Sequence, residues 1–333
     1  MEEENWEFIV AGEEYRGWRL DKLLAALHGE FSRSYLQKLI EEGRVLVDRK
    51  PAKAGLVLRA GQEIALSIPE PEPLNILPEP IPLDILYEDD DVILVNKPKG
   101  MVVHPAAGHY MGTLVNGLLY HCGDRLSGIN GVLRPGIVHR IDRNTTGVLV
   151  VCKNDRAHQC LSEQLKAHSI TRKYNALVHR AFAQPEGRVE GAIGRHPTDR
   201  MKMAINEKNG KPAVTNYRVL ENFGADYAHV ECRLETGRTH QIRVHLASIG
   251  HPLLGDDVYG RLRDDFRLEG QALHARVLGF VHPSTGNYVE FEAPLPGYFT
   301  QLEEKLRRMS GTGTRFSGQR MAGTEGAYET ESY

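Results

Sequence analysis

Apolar residues near the start of the chain recur at the spacing of amphipathic helices. The first set predicts a short helix and consists of Leu20, Leu23, Leu24 and Leu27. The second set predicts another helix and consists of Tyr35, Leu36, Leu39 and Ile40. Ser32 or Ser34 can cap this second helix, and Gly43 ends it. Residues 44–68 alternate between apolar and polar around turn residues, so short strands complete a compact first module.

The composition of the chain changes sharply after this module. Residues 69–82, PEPEPLNILPEPIP, hold six prolines and are expected to form a semi-rigid linker. The last residues are rich in Gly, Ser and Thr, which predicts a disordered tail. The expected divisions are an acidic N-terminal segment (1–14), the first module (15–68), the linker (69–82), a larger domain (83–308) and the tail (309–333).

Strand-like and helix-like patterns are mixed in the larger domain. The strand-like runs are VILVNK, GVLVVCK, KYNALVH, NYRVLENF, YAHVECRLETG and YVEFEAPL. The helical patterns are GTLVNGLLYHC, DRAHQCLSEQLKAHS and THQIRVHLASIG. Most strands alternate apolar and polar residues, which is typical of antiparallel or mixed sheets. We therefore predict an α+β fold with a mixed, largely antiparallel sheet.

The formal net charge of −3 conceals an uneven distribution. Fourteen of the 44 acidic residues lie in residues 1–14 and 69–91, which contain no Lys or Arg. The rest of the chain carries 41 basic and 30 acidic residues, a net charge of +11. A basic body of this kind favours a polyanionic partner such as a nucleic acid.

Several classes of protein are disfavoured by the sequence. The acidic start has no long apolar run, so we expect a cytoplasmic protein without a membrane partner. The four cysteines contain no C-x-x-C pair and are expected to be reduced structural thiols. The 15 histidines are scattered, without a third ligand at metal spacing. No metal and no cofactor are expected.

Four ionisable residues interrupt two aliphatic runs in GIVHRIDRNTTGVLVV, residues 136–151. If a buried strand ends at Asp142, the following polar turn holds its carboxylate at the mouth of a pocket. A turn or capping aspartate explains the same pattern equally well. A kinase loop is disfavoured because Ile141 separates His-Arg from Asp, and no second acid supports a two-carboxylate glycosidase.

The first module resembles the S4 RNA-binding domain over residues 17–66. The resemblance rests on RLDKLLAAL followed by SRSYLQKLIEEGRVLVD. It implies that the surface around the second helix contacts RNA, mainly through charge and shape. The residues expected to make these contacts are Arg19, Arg33, Lys38 and Arg44. By charge alone, a solvated helix face is an equal alternative.

Four motifs in the larger domain, taken in order, resemble the RluA-type pseudouridine synthases. They are NKPKGMVVHP, HRIDRNTTG, ITRKYNALV and LETGRTHQIRVHLASIGHPLLGD. The match runs from about residue 83 to 300. The stretches VHPAAGH, IGRHPT, GKPAVTNYRVL and RTHQIRVH look most like the RluD branch.

The resemblance implies site residues and a mechanism. Asp142 matches the family's catalytic aspartate, Arg243 its salt-bridge partner and Tyr174 the tyrosine that stacks on the extracted uracil. Arg140 matches the arginine that enters the helix where the target nucleotide leaves. The alternative for Arg243 is a surface phosphate contact. A lone tyrosine on a strand, such as Tyr174, is more often a core residue. Whether Asp142 attacks C1′ or C6, or abstracts a sugar proton, stays open.

The resemblance also implies the substrate. We expect uridines of the large-subunit ribosomal RNA or its precursor, in the loop of the stem called helix 69, with no DNA partner. We expect the protein to act as a monomer. The alternative is a non-catalytic RNA-binding ribosome-assembly factor, which the presence of Asp142, Tyr174 and Arg243 disfavours.

Overall fold

The chain folds into two compact units in a computed structural model, residues 1–74 and 75–333. The residues described are 6–29, 31, 33–68, 76–105, 110–123, 125–129, 134–199, 202–260, 266–311 and 314–315. In this part of the chain the helices are α1 (Leu20–Leu27), α2 (Arg33–Glu41), α3 (Leu114–Cys122), α4 (Asp155–Lys166), α5 (Gln241–Ser248) and α6 (Gly297–Ser310). No helix among these residues is long and apolar enough to cross a membrane.

The strands of the first unit are β1 (Trp6–Val10), β2 (Val45–Val47), β3 (Lys50–Pro51) and β4 (Glu63–Ser67). The first strands of the second unit are β5 (Ile85–Glu88), β6 (Val92–Lys97), β7 (Thr146–Cys152), β8 (Thr171–His179), β9 (Glu186–Glu190) and β10 (Ile193–Arg195). They are followed by β11 (Met203–Ile205), β12 (Val214–Phe223), β13 (Tyr227–Leu234), β14 (Leu273–Val281), β15 (Tyr288–Glu292) and β16 (Thr314–Arg315).

The first unit has its own apolar core. The core contains buried leucines of both helices, packed against an antiparallel sheet of order β1-β4-β2-β3, namely Leu20, Leu23 and Leu24 of α1 and Leu36 and Leu39 of α2, whereas Leu27 at the end of α1 is exposed. Both predicted helices are confirmed. The prediction of a separate acidic segment over residues 1–14 is wrong at Trp6–Val10, because that strand pairs with β4 along its whole length. Ile9 packs against the core of this unit, whereas Phe8 and Val10, on the other face of this edge strand, are exposed.

The predicted linker also differs from the structure in its second half. Residues 69–75 lie outside the described residues, but residues 76–82 run along α3. The side chain of Asn116 donates to the carbonyl of Leu77, and the amide of Glu79 donates to the carbonyl of Asn116. Ile81 packs so closely on Gly117 that a Cβ there would lie 3.2 Å from it. These prolines therefore shape an ordered segment of the second unit.

The second unit is built on a ten-stranded sheet. Its main order is β16-β12-β13-β8-β14-β7-β6-β5, with β15 paired to β14 and β9 paired to β12. All of these pairs are antiparallel except β14 with β7, which is parallel at His274–Thr146 and Ala275–Gly147. The predicted α+β class with a mixed, largely antiparallel sheet is confirmed.

Alternating side chains of the sheet fill two cores. Ile93 and Val95 of β6 pack on the face that carries α3 and α5, together with Tyr174 of β8. Val92 and Leu94 pack on the opposite face, where α4 contributes Leu161. The helix α6 covers a third cluster on β8 and β12 and continues to Ser310, beyond the predicted domain end. Residues 316–333, most of the predicted tail, lie outside the described residues.

Candidate active site

Asp142 lies in the loop that leads into β7. The expectation of a buried strand ending at Asp142 is wrong, because only Ile137 forms a β-bridge before it, with Val151. The amide of Thr145 donates to the carbonyl of Asp142 at 3.0 Å and closes the turn. The Asp142 side chain is 19% exposed, so its carboxylate is accessible from one side.

Arg243, in the first turn of α5, joins two carboxylates. Its Nη1 donates to Asp142 Oδ2 at 3.0 Å. Its Nε and Nη2 donate to Asp256 Oδ2 and Oδ1 at 2.8 and 2.9 Å. The guanidinium fork therefore holds Asp256, and Asp142 receives a single N–H. The salt bridge between Arg243 and Asp142 that the resemblance implies is present, but it is made through one N–H, while the planar fork binds Asp256.

Asp256 fixes the arginine from behind. Its side chain is fully buried, and Oδ1 also accepts the amides of Val258 and Tyr259 at 3.0 Å each. Burial alone would lower the pKa of Arg243, but hydrogen bonds and charge from Asp256 and then Asp142 raise its pKa overall. A permanent cation is thus held 3.0 Å from the carboxylate of Asp142.

His240 approaches Asp142 from the other side. Its Nε2 lies 3.9 Å from Asp142 Oδ1, and its Nδ1 lies 2.8 Å from the hydroxyl of Tyr259. Because that hydroxyl accepts the amide of Met203 at 2.9 Å, it is free to donate to Nδ1. We therefore assign the Nε2–H tautomer, which faces the carboxylate. Burial lowers the pKa of His240, while the charge of Asp142 raises it.

Tyr174 and Arg140 line the same cavity, but Tyr174 is buried and Arg140 is exposed. Tyr174 on β8 is 8% exposed and packs in the main core cluster. Burial raises the pKa of its phenol, so the hydroxyl stays protonated at neutral pH. Arg140 is exposed and lines the rim.

The cavity has a volume of about 330 Å³, which lies within the range of small-ligand sites. Its apolar walls include Ile141, Leu234 and Leu273, and Asp142 is the one carboxylate among the described residues that line it. Elsewhere among the described residues, two groups have metal-ligand chemistry, Glu88–His121–Cys122 and Asp89–Asp91–His282. Neither group lines the cavity, where Asp142 lies among the cationic side chains of Arg172, Arg238 and Arg243.

Lys97 supports the floor beneath Asp142. Its ammonium is almost completely buried and donates to the carbonyls of Pro98, Met101 and Arg143 at 2.9, 2.9 and 3.0 Å. These bonds use all three of its N–H groups and tie the NKPKG turn to the residue after Asp142. Burial lowers the pKa of Lys97, and the charge of Asp142 opposes part of this effect. The resulting pKa is about 7.

His139 supports the same loop from behind. Its Nε2 accepts the backbone amide of Val150 at 3.2 Å, which requires a neutral ring. Burial, and then the charge of Arg172, lower the pKa of His139 to about 3. The imidazole therefore serves as an acceptor that joins the loop to β7.

The basic residues predicted in the first unit are in part held by a buried acid. Arg19 and Arg33 both donate to Asp21, at 3.1 and 2.9 Å, and their side chains remain 53% and 54% exposed. Lys38 lies 3.5 Å from Glu42 and is mostly exposed, whereas Arg44 is half-buried. Asp21 thus orders two guanidinium groups that still face solvent.

Sequence and structure comparisons show the family to which the chain belongs. The family model described as RNA pseudouridylate synthase matches residues 91–248, and an S4 domain model matches residues 18–64. A Bacillus subtilis protein named "Uncharacterized RNA pseudouridine synthase YlyB" is 53% identical over 300 residues, covering 90% of this chain and 98% of that protein. The chain belongs to the RNA pseudouridine synthases. The synthase is therefore an isomerase that converts uridine to pseudouridine.

Two further relatives extend the comparison. The "Ribosomal large subunit pseudouridine synthase D" of Zymomonas mobilis is 48% identical, over 87% of the synthase and 94% of that protein. The solved structure of "Human RNA Pseudouridylate Synthase Domain Containing 1" has a TM-score of 0.52 at 29% identity, covering 72% of this chain and 97% of that one. The fold of the catalytic unit is thus shared across distant members.

The synthase brings together three residues that its sequence singled out and several that it did not. Asp142, Tyr174 and Arg243 line one cavity, with Arg140 at its rim. Sequence reasoning missed Asp256, although it ends the quoted fourth motif, and it gave His240 no role. It also missed Arg172, which lies two residues before Tyr174 and therefore on the same face of β8.

Proposed function

We propose that this synthase modifies uridines of large-subunit (23S) ribosomal RNA, in the loop of helix 69, and that Asp142 performs the central chemical step. The observation that carries the role of Asp142 is its carboxylate, held by Arg243 at the wall of a cavity that also contains Tyr174. Several relatives at 43–48% identity bear the name ribosomal large subunit pseudouridine synthase D, which supports the RNA target.

The reaction needs an ionised carboxylate beside the ribose. Isomerisation breaks the bond between C1′ and N1, turns the base while it stays bound, and joins C1′ to C5. An ionised Asp142 attacks carbon or stabilises a positive ribose. Arg243 acts as the positioning residue that holds this carboxylate by a charge-assisted hydrogen bond.

The target base must leave its stack to reach Asp142. Eversion of a nucleotide costs a few kcal/mol. Arg140 is exposed at the rim of the cavity, and we assign it the role of entering the RNA helix where the everted base has left its stack. Tyr174 packs against the everted uracil, and its hydroxyl assists removal of the C5 proton.

The first unit adds affinity for the phosphate backbone. Arg19 and Arg33, both ordered by Asp21, form the core of this contact surface together with Lys38 and Arg44. Such contacts are largely independent of sequence and depend on salt. We propose that the synthase acts in the cytoplasm as a monomer on the large-subunit precursor.

The test is to map pseudouridines in all RNA from cells that lack the synthase. The same cells are then supplied with the wild-type chain, or with Asp142→Asn as the inactive control. We expect pseudouridines in the helix 69 loop to disappear on deletion and to return only with the wild-type chain. Loss at other sites overturns the proposed target. Restoration by Asp142→Asn, or no loss at any site, overturns the assigned chemistry and favours a non-catalytic assembly factor.

A further inference from the structure

Arg172 is a buried cation with poor protein partners. It lies on β8, is 7% exposed and lines the same cavity as Asp142. Its Nε has no hydrogen-bond partner among the described residues, and Nη2 makes one long bond of 3.4 Å to the carbonyl of Glu235. Arg243, by contrast, makes three bonds of 2.8–3.0 Å to two carboxylates. Buried arginines are ordinarily paired, so the partner of Arg172 is expected to come from outside the chain.

The surroundings of Arg172 are shaped to hold a guanidinium without neutralising it. A Cβ added to Gly237 would lie 2.4 Å from Nη1, so the glycine leaves the space that this group fills. Burial lowers the pKa of Arg172, Tyr174 raises it and the cation of Arg238 lowers it further. Arginine nevertheless keeps its proton in proteins. The site therefore holds a desolvated positive charge with unused donors.

The position of Arg172 in the cavity indicates which part of the substrate it meets. A nucleotide that enters base-first leaves its phosphates at the rim, where Arg140 is exposed. Arg172 lies deeper, beside Tyr174 and among the apolar side chains of Leu234 and Leu273. In this orientation the uracil ring is the part of the nucleotide that enters deepest, and its two carbonyl oxygens are hydrogen-bond acceptors.

We propose that Arg172 is a further catalytic residue that donates to a carbonyl oxygen of the everted uracil and stabilises the negative charge that develops on the ring. This inference rests on the assignment of the Asp142 cavity as the active site. Donors placed where charge develops, in a site that excludes water, lower the barrier of a reaction most effectively.

The electron balance of the reaction requires such a group. When the C1′–N1 bond breaks, its electron pair stays with uracil and is shared by N1, O2 and O4. The C1′–C5 bond then forms, C5 loses its proton and N1 gains one, so nothing is consumed. If Asp142 instead adds to C6, the displaced pair moves to O4. If it takes the C2′ proton, uracil still leaves as an anion. Every route places negative charge on a carbonyl oxygen.

The experiment compares Arg172→Met and Arg172→Lys with Lys173→Met. Lys173 is the adjacent residue on the opposite face of β8, where its ammonium lies 4.0 Å from Glu290, so it is a matched control for lost charge. The substrate is [5-³H]uridine-labelled RNA from cells that lack this synthase. Release of tritium under single-turnover conditions reports loss of the C5 proton at any target site. The test therefore does not depend on helix 69.

We expect Arg172→Met to slow tritium release by about 100- to 1,000-fold, as for removal of one oxyanion donor. RNA binding should change by less than about threefold, because the free enzyme meets neutral uracil. Arg172→Lys, which keeps the charge but not the fork, should give an intermediate rate. Lys173→Met should match the wild type.

Thermal unfolding separates this role from a structural one. Removing an unpaired buried charge relieves its desolvation, so we expect Arg172→Met to unfold at the same temperature as the wild type or higher. A rate within about fivefold of wild type overturns the proposal. So does weaker RNA binding with a smaller salt dependence, which identifies a phosphate contact. A lowered unfolding temperature that accompanies the rate loss identifies a structural residue and also overturns it.

Discussion

At the scale of single residues, the site depends on an arginine shared by two aspartates. The fork of Arg243 is saturated by the buried Asp256, and the remaining Nη1 points to Asp142. A guanidinium is planar and rigid, so holding one edge fixes the direction of the other. Asp256 thus sets the direction of the N–H that Arg243 donates to Asp142, a residue with which Asp256 makes no hydrogen bond among the described residues.

Asp256→Asn should reduce both activity and stability. The amide replaces one charged acceptor with a donor, and hydrogen bonds to charged groups contribute about 1.5–3 kcal/mol each. The matched control is Asp257→Asn, because Asp257 is the next residue, is 76% exposed and lies 4.0 Å from Arg243 Nη2. The control should lie within about 0.5 kcal/mol of wild type. Urea unfolding and single-turnover rates measure both effects, and equal behaviour of the two variants would contradict the assigned role.

The sequence predicted three residues that line the cavity, but it did not predict the groups that hold them. Asp142, Tyr174 and Arg243 lie within motifs, so their approximate roles follow from resemblance. The contact of Arg243 with Asp256 depends on how the chain returns after α5, which no local pattern specifies. Likewise, the sequence does not show that the Nε of Arg172 is buried without a hydrogen-bond partner among the described residues. Only the three-dimensional structure shows this.

At the scale of elements, the parallel pairing of β7 with β14 positions the loop that contains Asp142. Gly147 has φ +110° there, and a Cβ would lie 2.1 Å from the carbonyl oxygen of Ala275. Both backbone strain and a backbone clash therefore oppose any larger residue. This contact sits five residues after Asp142, so it sets where β7 begins.

Gly147→Ala should destabilise the fold by several kcal/mol, since strain and overpacking each cost about 1–3 kcal/mol. Gly286→Ala is the control, because Gly286 has φ +68° in a turn with nothing within 4 Å of its Cβ position. That variant should lose only about 1 kcal/mol from backbone strain. Chemical denaturation measures the difference, and similar losses in both variants would refute the close approach of β14.

The bond between His139 and β7 predicts a pH dependence of stability. The folded pKa of His139 is about 3, below the ordinary value of 6.5, so the unfolded chain binds this proton more tightly. Stability should therefore fall as pH drops below about 6.5, by up to about 1.4 kcal/mol per unit, until the folded pKa is reached. His139→Gln keeps an acceptor without the titration. Its unfolding free energy should decline less between pH 7.5 and 5, and a parallel decline would exclude His139 as a source.

Elements were predicted best where one periodicity dominates. The run VILVNK coincides with β6, and the three predicted helices of the second unit appear as α3, α4 and α5. The central strand β14 and the helix α6 were missed. Leu302 and Leu306 are buried at helical spacing in α6, so the signal was present. In β14 the run LHARVLGFV carries His274 and Arg276 inside the sheet, which obscures its strand pattern.

At the scale of the whole molecule, the chain forms two units that have separate apolar cores. The first unit has a core of α1, α2 and its sheet, and the second contains the cavity. The net charge of −3 hides a basic body because the acids are concentrated in residues 1–14 and 69–91. Average charge alone would have argued against an RNA substrate.

Removing residues 1–68 should weaken RNA binding and flatten its salt dependence, while the chemical step at saturating enzyme persists. Each lost phosphate contact lowers the slope of log K against log salt by roughly 0.7–0.9. The double substitution Arg33→Gln with Lys38→Gln should shift the slope in the same direction without removing a domain. Filter binding at several salt concentrations measures both, and an unchanged slope would show that the first unit does not contact phosphates.

The most direct test of the account is the single-turnover rate of Asp142→Asn alongside its RNA affinity. The amide preserves the shape of the carboxylate but removes its charge. We predict no detectable pseudouridine formation and binding within about threefold of wild type, since Asp142 contributes to chemistry rather than to phosphate contact. Measurable turnover by this variant would contradict the central claim that an ionised Asp142, held by Arg243, isomerises uridine.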